Sequence, residues 1–424
     1  MSSVEPLERV EAERRYVTYA TLGRRRRRGR RAVQAAGVFV SVVVIAAALI
    51  WSAMGLSGLR RQPATPPLTT SSISLTHTGG CRVTDVGGAE CWGVNADGQL
   101  GDGSHRQSRD PVAVEGLGSG VVSVAAGSFH ACAVTDRGVL CWGGNSQGQL
   151  GVGDRHGRSV PTLVVGLDSP VVSVHPGFMH TCALTEAGGV WCWGTSWESG
   201  AEPSKHPWTL TPAVVPGLAS GVVQVAVGDQ HTCALLDTGV VRCWGRNVEG
   251  DLGSGNRLGL QPREVRGLPA PAVAIAAGNG HTCALLATDR VWCWGTGTDG
   301  TLGDGGTGSS ADPVEVVGLS DIVAISAGSE FTCALLASGE VRCWGRNYVG
   351  QLGNGSYART LLPTTVMGLP PDVVGISAGG ASACATAASG GVYCWGTNRY
   401  GQLTVRTGAH LQTAEFIPAL STEG

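Results

Sequence analysis

The chain has 424 residues, 42% of them hydrophobic and 66 of them glycine, so it can bury a core, and its glycine content lies far above the usual 7% or so. No every-third spacing accompanies the glycine, which excludes a collagen-like rod and points to many turns between short elements. Lysine and arginine number 12 through Arg61 against 4 acidic residues, leaving 18 basic and 28 acidic residues beyond it, a formal charge of −10 that is a poor match for a phosphate backbone.

Residues 1–31 read as a short basic cytoplasmic tail ending in Arg24–Arg28, Arg30 and Arg31. Residues 32–59 follow as an expected transmembrane signal-anchor, because Ala35 to Leu59 contains no charged residue and about 20 apolar residues span a bilayer. The arginines place the N-terminus in the cytoplasm and everything beyond Leu59 outside the cell membrane, with cleavage and secretion as the alternative. Residues 60–72, RRQPATPPLTTSS, form a Pro/Thr/Ser linker, and residues 421–424 a C-terminal tail.

Between them, residues 73–420 repeat one unit seven times. Cys-Trp-Gly begins at Cys91, Cys141, Cys192, Cys243, Cys293, Cys343 and Cys394, at intervals of 50, 51, 51, 50, 50 and 51 residues. Each has an upstream partner, Cys81, Cys132, Cys182, Cys233, Cys283, Cys333 or Cys384, so the pattern uses all 14 cysteines. Short Val/Leu/Ile runs punctuated by Gly, Pro and Asn predict about four strands per unit and no helix. The fold class expected is therefore all-β, a seven-bladed β-propeller preceded by a single transmembrane helix. Ile73 matches Val124 in register and Leu420 matches Leu167, from which strands of the two chain ends are expected to pair within one blade.

Cys333 and Cys343 flank the turn LASGE on opposite arms of a hairpin. Opposed residues lie ~4.5–5.5 Å apart, within the ~4.4–6.8 Å range of a disulfide, and an outside location would supply the oxidising compartment. Zinc is the rival reading, with His130, His180, His231 and His281 two residues before the first Cys. Gly79, Phe331 and Ser382 stand there in the other units, so that ligand set is incomplete. No metal and no cofactor is expected. The seven Cys-Trp-Gly tryptophans read as packing residues with a bonded indole N–H, and Asn95, Asn145, Asn247, Asn347 and Asn398 as turn formers.

The pattern Gly-x-x-His-Thr-Cys-Ala-Leu, Gly-x-Val-x-Cys-Trp-Gly-x-Asn and Gly-Gln-Leu-Gly, as in His231 to Gly253, His281 to Gly303 and Phe331 to Gly353, resembles the repeat of the regulator of chromosome condensation (RCC1) family. The resemblance covers 73–420 and implies a seven-bladed propeller. Members include a nuclear exchange factor for the small GTPase Ran and bacterial secreted propellers that inhibit β-lactamases. The apolar N-terminal segment and acidic body point toward the bacterial cell-envelope or secreted type.

The main expectation is thus a non-catalytic, membrane-anchored module binding an extracellular or envelope protein or polysaccharide, with no nucleic-acid partner. A structural envelope component, an extracellular hydrolase or lyase, and a guanine-nucleotide exchange factor are the alternatives. Loops after each Leu-Gly differ while the frame repeats, as in GDGSHRQSRDP, GVGDRHGRSVP and GNGSYARTLLP. Aromatics outside the repeat, Trp197, Trp208, Tyr348, Tyr357 and Tyr400, are the candidate binding residues. Asp97, Asp102, Asp154, Asp299 and Asp304 could serve an enzyme, but their turn positions favour local hydrogen bonding. Asp102–Ser104 and Asp304–Gly306 lack the alternating oxygens of a calcium loop, and Asn354-Gly355-Ser356 matches a glycosylation acceptor but reads as a turn.

Overall fold

A computed structural model describes residues 73–421 except 168, 196–207, 256–257 and 405–409. Seven four-stranded antiparallel sheets succeed one another along the chain as blades 1 to 7, covering 73–113, 121–163, 171–214, 222–264, 272–315, 322–365 and 373–416. Blade 6 shows the plan: Ile322–Ala327, Phe331–Leu336, Val341–Gly345 and Thr360–Thr365, paired in that order.

Two expectations are corrected. No blade is shared between the chain ends: blade 1 is built wholly from 73–113 and blade 7 wholly from 373–416. The ring closes by lateral packing, because three N-terminal residues, Ile73–Leu75, suffice as a first strand. The second concerns the preceding helix. No helix among the described residues is long and apolar enough to cross a membrane. The segment 32–59 lies outside the described residues; apolar length satisfies a hydropathy criterion without establishing a helix.

Within each blade the repeated residues form the frame. All seven cysteine pairs are bonded, Cys81–Cys91 through Cys384–Cys394, between directly opposed residues of the second and third strands. Their Cα separations, 4.0 to 4.1 Å, are tighter than the spacing expected of an unlinked pair. The nine-residue interval of Cys132 and Cys141 is absorbed by a hairpin one residue shorter, with Thr135 opposite Gly138.

Seven fully buried tryptophans follow the second cysteines. Six donate their indole N–H to a turn carbonyl of the preceding blade: Trp142 to Gln99, Trp193 to Gln149, Trp294 to Asp251, Trp344 to Thr301, Trp395 to Gln351 and, across the ring closure, Trp92 to Gln402, at 2.8–3.0 Å. The N–H of Trp244 has no acceptor among the described residues. Its preceding unit departs from the Asn-x-x-Gly-x-Leu-Gly turn, in the stretch 196–207.

The asparagines tie the long loop between third and fourth strands. Asn347 accepts the Leu352 N–H at 2.9 Å and donates to the Ser356 and Ala358 carbonyls, both at 3.0 Å. Gly345, after Trp344, has φ +106°, and a Cβ there would lie 2.7 Å from the Glu330 carbonyl. Only glycine permits that turn at that separation.

Candidate functional site

Strand direction sorts the loops onto two faces. In blade 6 the second strand starts at Phe331, opposite Gly345 where the third ends. The loops joining strands one to two and three to four therefore share one face, while the tight cysteine hairpins and Gly-Leu crossovers share the other. The recurring Asn turns lie in the three-to-four loops, and the segments after each Leu-Gly, which differ from unit to unit, lie on the same face.

At the centre of that face the Gly-containing loops converge on the channel mouth, a cavity of about 110 Å3. The glycines are required by close approach: a Cβ would lie 2.4 Å from the Gly278 carbonyl at Gly228, 2.5 Å from the Gly328 carbonyl at Gly278, and 2.2 Å from the Leu75 carbonyl at Gly379. The residue after each glycine has no consensus, and the rim includes Ser128, Asp229, Asn279, Ser329 and Gly380, with His77 from blade 1.

His77 spans this mouth. Its Nε2 lies 2.6 Å from the Ser329 hydroxyl and 3.9 Å from an Asp229 carboxylate oxygen, and its Nδ1 lies 3.4 Å from the Ser128 hydroxyl. Serine, histidine and aspartate thus meet without forming a nucleophilic triad. The carboxylate nears the same nitrogen as Ser329, so it cannot orient the ring from Nδ1.

The mouth opens into a groove of about 290 Å3 lined by Asn279, Ser329, Glu330, Arg346, Tyr348 and Gln351, with His77 on its edge. Tyr348 is 52% exposed and donates its hydroxyl to Asp299 at 3.1 Å. The Arg346 guanidinium sits 5.1 Å from the Tyr348 ring centre and pairs with Glu330, while Arg359 reaches Asp299 at 3.1 Å. Charge of both signs surrounds one accessible aromatic.

Of the other aromatics, Tyr357 and Tyr400 are exposed in the blade 6 and blade 7 loops, and Arg399 lies 5.7 Å from the Tyr400 ring. Trp208 is half-buried on the outer strand of blade 3 with the blade 2 Arg155 guanidinium 4.1 Å over its ring, a contact between blades. Trp197 lies outside the described residues. Neither Tyr357, Tyr400 nor Trp208 lines the groove with Tyr348.

The histidines that could have held zinc have another role. His130, His180, His231 and His281 bond through Nε2 to Thr181, Thr232, Thr282 and Thr332 of the following blade, at 2.7–2.9 Å. Thr181 donates onward to the Gln149 carbonyl, so His130 must donate from Nε2. Burial holds His130 and His281 down to about 3 and His231 to about 4, each reinforced by a neighbouring histidine. With these nitrogens engaged and the cysteines bonded, no zinc ligand set remains among the described residues. Recurrence of His-Thr-Cys was the available signal, but it does not show that His and Thr meet across blades.

The turn aspartates are occupied locally. Asp102 takes the Ser104 N–H and hydroxyl, Asp304 the Gly306 N–H, and Asp154 the His156 N–H and Arg158 guanidinium, which together lower its pKa. The Asn354 side chain accepts from Asn347 and the Ser356 N–H, as a turn residue does.

A closed ring of repeats with one variable face defines a propeller scaffold. Residues 91–134, 137–184, 238–285, 288–335 and 338–386 match the Regulator of chromosome condensation (RCC1) repeat, and a second form of the same repeat matches 121–149, 222–251, 272–301, 322–351 and 373–402. The chain belongs to the RCC1 repeat family.

Among solved structures it is similar to human WBSCR16, at 25% identity and TM-score 0.66, over 73% of this chain and 84% of that one. It is also similar to Prp20p from Saccharomyces cerevisiae, in a structure described together with its binding properties to Gsp1p and histones, at 24% identity and TM-score 0.69, over 82% and 87%. The same yeast protein bound to Kap60 matches at 24% identity and TM-score 0.68, over 83% and 86%.

These findings correct the expectations built on residues 32–59. Membrane anchoring, an outside or secreted location, the bacterial envelope type and an extracellular or envelope partner find no support. The partners named for the similar yeast protein are Gsp1p, histones and Kap60, and no described helix can cross a membrane.

Proposed function

We propose that the propeller is a non-catalytic protein-binding module that docks its partner on the variable face, over the Tyr348 groove. One observation carries this reading: the face that holds the differing loops after each Leu-Gly also holds a groove with an exposed aromatic and charges of both signs. Aromatic and arginine side chains at a desolvated centre supply most of the energy of a protein interface. Tyr348 and Arg346 are the anchors. Tyr357, Tyr400 and Trp208 contribute at the periphery or stabilise blade contacts, and Trp197 belongs to the unit whose sequence diverges most.

Purified Gsp1p and core histones, partners of the similar Prp20p, are the first proteins to test against the full chain by surface plasmon resonance. Tyr348→Ala is expected to weaken binding by tenfold or more, since a central aromatic anchor contributes about 2 kcal/mol. Tyr357→Ala should have little effect. Equal affinity of Tyr348→Ala and the parent chain for a partner that does bind sinks the assignment of the groove.

A further inference from the structure

We propose that the channel mouth receives a cationic side-chain tip, a lysine ammonium or arginine guanidinium, presented by the docked protein. This rests on the variable face being the docking face. The lining supplies the recognising chemistry. Asp229 contributes a carboxylate, Asn279 an amide oxygen, and Ser128 and Ser329 hydroxyls. Backbone carbonyls of Gly278 and Gly328 crowd against the neighbouring glycines at the same level. Among the described residues no lysine or arginine lines the mouth, and His77 is the one histidine there.

Size narrows the ligand class. About 110 Å3 admits an ammonium or guanidinium with its last methylenes, whereas ligand pockets for whole small molecules run to ~300–1,000 Å3. The groove gives access, because His77, Asn279, Ser329 and Gly380 line both spaces. A segment lying against Tyr348 can therefore reach the mouth with one extended side chain. The formal charge of −10 carried by residues 62–424 draws a basic segment toward the propeller.

The test uses n-butylammonium as a probe of the mouth alone, titrated into the full chain and followed by 1H–15N correlation spectra, with butan-1-ol as neutral isostere and sodium chloride as ionic control. Saturable shifts are expected at the amides of Gly228, Asp229, Gly278 and Ser329 with n-butylammonium only. Asp229→Asn should weaken that binding about tenfold through loss of a charge-assisted contact. Tyr348→Ala should leave it unchanged. Absence of saturable shifts in the parent chain overturns the proposal without requiring any variant to fold, as do equal responses to butanol or salt. If Gsp1p or histone binding depends on Tyr348 while n-butylammonium does not bind, the docking face stands and the cation receptor falls. If n-butylammonium binds but neither protein does, the mouth serves a free amine, and the side-chain source is refuted.

Discussion

Asp251 stands where four other units carry glutamine. Gln99, Gln149, Gln351 and Gln402 each accept the backbone N–H two residues earlier at 2.8–3.0 Å. Asp251 accepts the Val248 N–H through one oxygen, and its other oxygen is buried without a partner among the described residues. Burial raises its pKa to about 6, against opposing backbone hydrogen bonds. An acid whose folded pKa is raised binds a proton more readily folded than unfolded, so it gains stability as pH falls through 6 and costs stability above it. Asp251→Gln restores the neutral amide and keeps the backbone carbonyl that Trp294 uses. It is expected to stabilise the chain at pH 7 by about 1–3 kcal/mol, and by less at pH 5, read from urea unfolding at the two pH values.

At the scale of the blade, the indole latches show what holds one sheet against the next. Trp142 donates to the Gln99 carbonyl, and removing the donor leaves that carbonyl unpaired at a seam. Trp244 occupies the same register without an acceptor among the described residues. Trp142→Phe should therefore cost at least about 1 kcal/mol more than Trp244→Phe in chemical denaturation, since both lose similar packing and, among the described residues, only Trp142 has a hydrogen bond to lose. Equal costs would show that the latch adds nothing beyond burial.

Much of the blade is legible in the sequence, because its information is local. Cys333 and Cys343 announce a hairpin by spacing, Trp344 declares a core position by recurrence, and Asn347 sits in a turn composition that allows one main role. What crosses from blade to blade is less readable. His130 and Thr181 are 51 residues apart, and only the lateral stacking of two sheets brings them to 2.7 Å. His77 meets Ser128, Asp229 and Ser329 for the same reason, in a mouth built by loops of different blades. Tyr348 stands out as an exception to the repeat, but nothing in the sequence marks Asp299 and Arg359 as its neighbours. The expectation of a shared closing blade fails because register alone does not say how few residues complete a first strand.

At the scale of the molecule, the buried histidines act together. His130 and His281, at about 3, and His231, at about 4, all fall below the ordinary 6.5 chiefly through burial. The unfolded chain binds more protons than the folded one between those values and 6.5. Stability is thus complete above pH 6.5 and is lost as pH falls toward 4, with Asp251 offsetting part of the change. Thermal unfolding should show a midpoint that drops steeply from pH 6.5 to 5. His281→Phe, which copies the fully buried Phe331 of the next blade in the same register, should flatten that profile. An unchanged slope in the variant would remove His281 from the acid response.

Because each blade is completed by consecutive strands, nearly all of the sheet pairing is short-range, and contact order within the propeller stays low for an all-β protein. One seam differs. Trp92 meets the Gln402 carbonyl across 310 residues of chain, and joining them requires two finished sheets to dock without threading a strand into either. The propeller can accordingly assemble in the order of its synthesis, one disulfide-pinned blade after another, and lock at its first and last blades only when the final repeat has emerged.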